Sequence, residues 1–391
     1  MRGILNRARV LKRMSWLLTA AVAALMVVGV LAVYSAGHGR IQQETLYQKQ
    51  IVWAMLGVLC YLGVAMSDYR RIGENVWWLY ALGLVLLIVV LAVGDVIYGA
   101  KRWLMVFGMG VQPSELSKLA IIGVLAWYLG RPDVDLLDFR TLVFVLALLG
   151  VPLVLIIKEP DLGTGMVLLS VGFILLFAGG INGRYLGAMA LMGALAAGFV
   201  FGALLLPERL GMSEERQKRI WHMTHLSDYQ RDRLLVFLHP GRDQLKSGWN
   251  KMQSEIAVGS GGLKGRGPLQ GEQSNLGFLP KTVAPTDFIF SVIAEQTGFI
   301  GSATIIGLFS VVFICGMRAA VSARDKVGRL LCVGVTTMVF THVFINIAMT
   351  VGLMPVTGLP LPLLSYGGSF MISTLTGLGV VQSVFIRRHP R

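Results

Sequence analysis

Ionisable side chains stand next to long apolar segments at several points of the chain. Glu115 and Lys118 are three residues apart in a segment where Pro113 predicts the start of a helix. Asp161 and Asp287 each come directly before a further apolar segment. An ionised side chain inside a membrane costs about 2.5–3.5 kcal/mol on insertion scales, so it normally faces a partner or a wet cavity. Carboxylates and a cation placed in this way could bind a polar substrate and transfer a proton at the membrane surface.

Each of these residues also has a purely structural explanation. Glu115 and Lys118 could form an ion pair near a helix end. Asp161 and Asp287 could complement the dipole at a helix N-terminus, where aspartate is common. The residues alone leave both explanations open.

A glycine-rich segment inside the longest polar stretch could bind phosphate. Gln253, Ser254 and Ser260 lie in or just before this run of glycines, and Lys264 and Arg266 follow it. Glycines let successive backbone N–H groups form an anion-binding nest, and neighbouring cations would assist it. A flexible turn after a short amphipathic helix is the alternative.

A proline- and glycine-rich connector follows the ninth apolar segment. Residues 352–362 cannot form a continuous helix, and Ser365 lies in the polar sequence SYGGS just after them. Irregular backbone at membrane depth is tolerated where it lines a protein cavity, although a rigid hairpin would also explain it. His342 and Asn346, in the preceding segment, are expected to be interhelical hydrogen-bonding residues rather than ligands.

The elements that must position these residues are membrane-spanning helices. The 391 residues are 55% hydrophobic and only 14% charged, and their mean hydropathy is +0.68, whereas soluble domains carry about 25% charged residues. Because a span needs about 20 apolar residues, we predict an all-α polytopic membrane protein of about ten helices, forming one domain over 1–391 with a large loop at 207–286. The predicted spans are 14–34, 48–66, 75–94, 113–130, 141–157, 162–180, 184–206, 287–316, 328–353 and 363–386.

The basic residues predict the orientation of these spans. Short cytoplasmic loops are enriched in Lys and Arg, and the pattern is satisfied when both termini are cytoplasmic and the large loop is extracytoplasmic. The residues then predicted to be inside include Arg2, Arg7, Arg9, Lys12, Arg13, Arg70, Arg71, Arg131, Arg140, Arg184, Arg318, Arg324, Lys326, Arg329, Arg387, Arg388 and Arg391. The short outer loops hold Arg40, Lys49, Lys101, Arg102 and Lys158.

Several classes of function are disfavoured. The net charge of +14 is explained mostly by orientation in the bilayer, so nucleic acid is not an expected partner. The three cysteines have no CxxC or Cys/His spacing, which argues against a zinc site or a disulfide framework. No P-loop or dinucleotide-binding pattern is present.

Taken together, five ordered motifs resemble the SEDS family (shape, elongation, division and sporulation) of membrane glycosyltransferases, which includes RodA and FtsW. They are GAKRWL with QPSELSK (99–118), EPDLGT (159–164), QSEIAVGSGGLKGRG (253–267), TDFIF (286–290) and LMPVTGLPLPLLSYGGS (353–369). The segment GEQSNLGFLP (271–280) is more similar to the elongation branch than to the division branch. One departure is the link 281–285, KTVAP, which lacks the Glu and His that the family usually has there.

The resemblance implies a peptidoglycan glycosyltransferase of the cytoplasmic membrane, which polymerises lipid II during elongation and shape maintenance. It identifies Asp287 as the general base, and the expected partners are a class B penicillin-binding protein, the elongation machinery and membrane lipids. No tightly bound cofactor is expected, but Mg²⁺ or Mn²⁺ could be held by Glu115, Asp161 and Asp287. The expected substrate-binding residues are Arg102, Gln112, Glu115, Lys118, Asp161, Arg231, Arg233, Gln253, Ser254, Ser260 and Ser365.

Two other kinds of protein fit the hydropathy pattern. A lipid II flippase or another transporter would also have broken helices and intramembrane charges. Against transport, the polar groups cluster towards the predicted outer side, and the two halves of the chain show no clear inverted repeat. A non-catalytic scaffold that activates a penicillin-binding protein is the other alternative.

Overall fold

The computed structural model describes residues 12–38, 45–97, 100–106, 109–224, 228–238, 247–279 and 283–388, and its architecture is mainly helical. Basic residues predicted to be cytoplasmic at positions 2, 7, 9 and 391, the outer-loop Arg40, and residues 281–282 of the unusual link lie outside the described residues.

Nine of the described helices are long and apolar enough to cross a membrane. They are α1 (Trp16–Gly37), α2 (Leu46–Met66), α4 (Val76–Val93), α6 (Phe139–Lys158), α7 (Leu162–Gly179), α8 (Gly183–Arg209), α13 (Ile289–Val321), α14 (Lys326–Thr350) and α15 (Gly368–Ile386). The predicted fourth span corresponds to α5 (Pro113–Leu129), which has only 17 residues. The polytopic helical fold is therefore confirmed, while the count of ten crossings stays a prediction.

The helical fold class is confirmed, but the segment between α4 and α5 contains short strands. There β1 (Asp95–Ile97), β2 (Ala100–Val106) and β3 (Met109–Val111) form an antiparallel sheet in the order β1-β2-β3. Asp95 pairs with Trp103, and Leu104 pairs with Val111. Backbone polar groups between two spans must be paired or hydrated, and this short sheet pairs them where the sequence suggested only a loop.

The segment between α8 and α13 also contains helices. These are α9 (Glu214–His222), α10 (Asp228–Leu238), α11 (Ser247–Ser260) and α12 (Glu272–Asn275), and the short α3 (Tyr69–Glu74) precedes α4. The predicted start of the loop at Pro207 lies inside α8, which continues to Arg209. We call this side of the helical bundle, with the sheet and α9–α12, the loop end.

The opposite side, which we call the arginine end, is joined by charged contacts. Arg70 donates to Asp325 at 2.8 Å through Nε and contacts the same oxygen at 2.7 Å through Nη2, and the Tyr69 hydroxyl donates to it at 2.9 Å. Asp325 also accepts from the Gly328 N–H and so caps α14. Burial alone would raise the pKa of Asp325, but these hydrogen bonds and the Arg70 charge together lower it below its ordinary value.

The most enclosed helices are α14 and α15. In the most apolar 18-residue stretch of each helix, 72% of the residues are buried, whereas in α8 only 11% are buried. One face of α14 carries His342, Asn346 and Thr350 at intervals of four residues, which places them in line. This central polar face reaches the loop end, where it holds the site described below.

A kink in α13 joins that helix to the glycine-rich segment. Gly298 has φ 66° and ψ −160°, a conformation that side-chain-bearing residues avoid. The Phe299 N–H donates to the Gly262 carbonyl at 2.8 Å, and the Arg266 N–H donates to the Glu295 carbonyl at 3.0 Å. The chain is thus hydrogen-bonded across the kink, and residues 289–296 before it are all buried.

Candidate active site

Asp287 lies in the turn that leads into α13, and its backbone is fixed by α14. The Asn346 Nδ2 donates to the Asp287 carbonyl at 2.8 Å and to the Leu359 carbonyl at 2.7 Å. On the other side of the turn, the Tyr366 N–H donates to the Pro285 carbonyl at 2.8 Å. The turn is therefore held between α14 and the connector that follows it.

The Asp287 carboxylate shares a small space with the Arg233 guanidinium. Gly358 borders both groups, because a Cβ at that position would lie 3.2 Å from Arg233 Nη1 and 3.3 Å from Asp287 Oδ2. Gly358 also has φ +76°, a backbone conformation that favours glycine, and a Cβ there would fit tightly. A cation from α10 is thereby brought beside a carboxylate more than fifty residues away in sequence.

A second carboxylate and a second cation lie nearby. Asp161 caps α7, accepting from the Thr164 N–H at 3.1 Å and from its hydroxyl at 2.9 Å. Gln112 Nε2 donates to Asp161 at 3.2 Å, and Arg102 Nη1 lies 3.8 Å from it. Arg102 also donates to the Pro160 carbonyl at 3.1 Å. The capping role foreseen for Asp161 is confirmed, and it coexists with contacts to two predicted substrate-binding residues.

The other three charged groups act on Asp287. Withdrawal from water raises the pKa of Asp287, while Arg233 and Arg102 oppose the rise and Asp161 adds to it. A carboxylate with a raised pKa is better matched to accepting a proton near neutral pH than an ordinary aspartate.

Glu159 is a buried carboxylate that the sequence interpretation did not select. It has no exposed surface, and neither of its carboxylate oxygens has a hydrogen-bond partner within the described ranges. Burial and then the Asp161 charge raise the pKa of Glu159 to about 8, against the opposing charge of Arg102. Its place in the motif EPDLGT was the available sequence signal.

The pair Glu115 and Lys118 is enclosed rather than open to a cavity. Lys118 Nζ lies 2.9 and 3.0 Å from the two Glu115 oxygens and 2.8 Å from His342 Nε2. The Ser373 hydroxyl donates to Glu115 at 3.2 Å, and Lys118 is only 1% exposed. The ion pair, which was the structural alternative for these two residues, is present, and the expected interhelical role of His342 is confirmed. Contact of either charge with substrate stays a prediction.

Two of the predicted substrate-binding serines join elements of the site. The Ser365 hydroxyl accepts from the Leu361 N–H at 2.7 Å and donates to the Thr286 carbonyl. The Ser254 hydroxyl donates to the Thr350 carbonyl at 2.9 Å and is bonded to Ser291 at 2.7 Å. Both side chains are almost fully buried, so their observed role is to hold the connector, α11 and α13 together.

The phosphate nest expected in the glycine-rich segment is not formed by its central N–H groups. Those of Gly265, Arg266 and Gly267 donate to the carbonyls of Gly261, Glu295 and Gln296 respectively. A Cβ at Gly265 would overlap the Gln296 backbone. The glycines therefore permit close packing against the kink in α13, which composition could not distinguish from anion binding.

The remaining predicted residues lie along the loop helices. Ser260 donates to the Ala257 carbonyl of its own helix at 2.9 Å, and Gln253 is buried on α11. The Arg231 guanidinium lies 5.0 Å from the Trp221 ring centroid and 3.4 Å from Asp232. Arg233, on the same helix as Arg231, lies beside Asp287.

The three carboxylates proposed to hold a metal ion do not form one donor set. Glu115 is paired with Lys118 and Ser373, and the Asp161 oxygens accept hydrogen bonds from Thr164 and Gln112. Across the described part of the chain, no three His, Cys, Asp or Glu side chains are grouped to hold a metal. A site built from these three residues alone therefore does not fit the structure.

Comparison with known proteins gives a consistent result over almost the whole chain. The family FTSW_RODA_SPOVE, described as "Cell cycle protein", matches residues 10–389. The "Peptidoglycan glycosyltransferase RodA" of Treponema pallidum is 34% identical, with 98% of this chain and all of that protein covered. The "Peptidoglycan glycosyltransferase MrdB" of Escherichia coli K12 is also 34% identical, over 93% of this chain and 91% of that protein.

Solved structures agree with the sequence relatives. One, described as "Structural coordination of polymerization and crosslinking by a peptidoglycan synthase complex", has a TM-score of 0.76 and 32% identity, covering 97% of this chain and 99% of that chain. The rod shape determining protein RodA of Thermus thermophilus has a TM-score of 0.68 and 27% identity, covering 97% and 98%. The chain therefore belongs to the FtsW/RodA/SpoVE family, the SEDS family that its five motifs resemble.

Proposed function

We propose that this protein is a peptidoglycan glycosyltransferase that polymerises lipid II, with Asp287 as its general base. The observation that carries the proposal is the Asp287 carboxylate held beside Arg233, with Arg102 and Asp161 nearby, next to the ends of membrane helices. A lipid-linked sugar can enter such a site while its lipid stays in the bilayer. The names of the relatives support the same reaction.

The proposed reaction is a displacement at a sugar carbon. A hydroxyl of the acceptor sugar attacks the anomeric carbon of the donor, and its proton passes to Asp287. The bond between that carbon and the pyrophosphate oxygen breaks, and the lipid pyrophosphate leaves with the electron pair. General-base assistance is worth about 10²- to 10⁴-fold in rate.

The leaving group gives the two arginines near Asp287 a proposed role. A departing pyrophosphate gains negative charge, and positioned guanidinium groups stabilise such charge well. Arg233 and Arg102 are the proposed contacts because Arg233 lies beside Asp287 and Arg102 lies beside Asp161. A Mg²⁺ or Mn²⁺ ion arriving with the pyrophosphate is a further proposal, and no step above depends on it.

The proposal includes the cytoplasmic membrane, with both termini cytoplasmic and the loop end outside. The unequal distribution of basic residues in short loops supports this orientation. The residues that carry the argument belong to the arginine end: Arg70, Arg71, Arg131, Arg140, Arg184, Arg318, Arg324, Lys326, Arg329, Arg387 and Arg388.

A class B penicillin-binding protein is the proposed partner, and the elongation machinery is the proposed setting. Support comes from the structural relative described as a complex that coordinates polymerization and crosslinking. Glycan polymerised at the loop end would be released on the side where a transpeptidase domain could crosslink it.

The test is polymerisation of purified lipid II by the wild type and Asp287→Asn in liposomes, with no other glycosyltransferase present. We expect polymer from the wild type and a loss of about 10²- to 10⁴-fold in the variant. Asp232→Asn is the matched control, because Asp232 is a largely exposed carboxylate on α10, and it should keep normal activity.

Two results would contradict the proposal in different ways. Full activity in Asp287→Asn would remove Asp287 as the base. Absence of polymer from the wild type, even with the transpeptidase partner present, would favour the transporter or scaffold interpretation. A lipid II translocation assay would then separate those two.

A further inference from the structure

We infer that Asn346 is a positioning residue, whose one amide group sets the Asp287 turn against the connector. The inference rests on the proposed function for its kinetic consequence, but its structural content can be tested independently. Asn346 is fully buried on α14, and it contacts backbone rather than any group that would react.

The first argument is the geometry of the amide. Asn346 Nδ2 donates to the Asp287 carbonyl at 2.8 Å and to the Leu359 carbonyl at 2.7 Å. These carbonyls belong to segments more than seventy residues apart in sequence, and a single nitrogen joins them. Their relative position therefore depends on this one side chain.

The second argument is the place of the two carbonyls in the backbone. The first hydrogen bonds of α13 are donated by the N–H groups of Ser291 and Val292 to the Phe288 carbonyl. Asp287 thus stands one residue before the hydrogen-bonded helix, and its carbonyl is turned to Asn346. Leu359 directly follows Gly358, which borders both Arg233 and the Asp287 carboxylate.

The third argument is the rigidity of the support. Asn346 lies one turn from His342, which is bonded to Lys118 of α5 at 2.8 Å, and one turn from Thr350, whose carbonyl accepts from Ser254 of α11 at 2.9 Å. Three successive turns of α14 therefore each fix a different element of the site. Because reactivity falls steeply with small displacements of reacting groups, we expect loss of the middle contact to slow the reaction without emptying the site.

The experiment compares Asn346→Asp and Asn346→Leu with the wild type and with Gln382→Leu. Asn346→Asp keeps the shape of the side chain but removes both N–H donors, so that two carbonyls face a carboxyl group. Gln382 is the matched control: it is a fully buried amide on α15, and neither of its polar amide atoms has a partner in the described structure. Its replacement removes a buried amide without touching the site.

Two measurements are made on the same samples. We expect kcat for lipid II polymerisation to fall about 10- to 100-fold in both Asn346 variants while KM changes less than about threefold. Hydrogen exchange should become at least about tenfold faster in segments 284–290 and 356–362, as expected for local opening. Gln382→Leu should change neither quantity.

The outcomes separate this inference from the proposed function. Unchanged exchange in both segments, or a kcat equal to that of the wild type, would overturn the positioning role. A general loss of thermal stability with faster exchange throughout the helices would overturn it in favour of a structural role. If the wild type makes no polymer, the proposed function fails, and exchange in the two segments still decides whether Asn346 positions the turn.

Discussion

Replacing Lys118 by methionine should strongly destabilise the protein by leaving a buried carboxylate without its cation. Lys118 and Glu115 are 1% and 3% exposed, and their charged atoms are 2.9 Å apart. After the substitution, Glu115 would keep only the Ser373 hydroxyl, at 3.2 Å, among its described side-chain donors. Removing one partner of a buried pair costs about 3–5 kcal/mol, whereas replacing both by apolar groups of similar volume is often nearly neutral.

The measurement is reversible unfolding in mixed detergent micelles of Lys118→Met, Glu115→Leu and the double variant. Each single variant should lose about 3–5 kcal/mol of unfolding free energy, and the double variant should regain most of it. Two single losses that simply add in the double variant would refute the reasoning. A well-folded double variant would then test whether Glu115 or Lys118 contacts substrate. Loss of polymerisation in that variant would support direct contact by this pair.

Three further results are expected. Polymerisation by the wild type should fall as the pH decreases, and it should begin to fall at a higher pH than an ordinary aspartate would cause, because Asp287 must be deprotonated to accept a proton and its pKa is raised. A polymer yield that does not fall until the pH reaches the range of an ordinary aspartate would contradict this. Gly358→Ala should lower the rate about 100-fold by crowding the carboxylate and straining a backbone at φ +76°, whereas Gly193→Ala, with open space around it, should not. Asp325 has a lower pKa in the folded state than in the unfolded state, where it is about 4. Its contribution to the free energy of unfolding should therefore be fully present above about pH 4 and be lost as the pH falls through the folded-state pKa. Asp325→Asn should therefore narrow the difference in melting temperature between pH 7 and pH 3.

The spans could be predicted from the sequence because each is a long apolar run, and the structure shifts their ends by only a few residues. The sheet at residues 95–111 could not, because its strands are three to seven residues long and carry no clear alternation. The partner of Lys118 on α5 is a related case. Lys118 meets His342 on another helix, and hydropathy along one segment cannot reveal that partner.

The structure brings several of the predicted site residues together, but their contacts could not be predicted from the sequence. The resemblance pointed to Asp287, Arg102, Asp161 and Arg233, and the structure adds that Arg233 is the cation beside Asp287. Arg231, only two residues away, lies against Trp221. A choice between two neighbouring arginines depends on how α10 packs, and no local pattern contains that information.

The glycine-rich segment illustrates a different limit. Glycine, serine and basic residues together indicate either anion binding or close backbone packing, and both need the same small side chains. The deciding fact is Gly298 on a distant helix, where a Cβ would overlap the Gly265 nitrogen. Pairs of glycines that meet in space are visible only after folding.

The kink at Gly298 divides α13 into a buried portion next to Asp287 and a longer apolar portion. Helix α13 has 33 residues, about 50 Å of helix, although the hydrocarbon core is only about 30 Å thick. The kink leaves residues 299–321, about 34 Å, for the apolar portion of the helix. The glycine-rich segment is bonded to both portions: the N–H groups of Arg266 and Gly267 donate to the carbonyls of Glu295 and Gln296 before the kink, and those of Phe299 and Ile300 after it donate to the carbonyls of Gly262 and Leu263. A tilt of the apolar portion in a thicker or thinner bilayer would therefore be transmitted to the glycine-rich segment and to the buried portion next to Asp287.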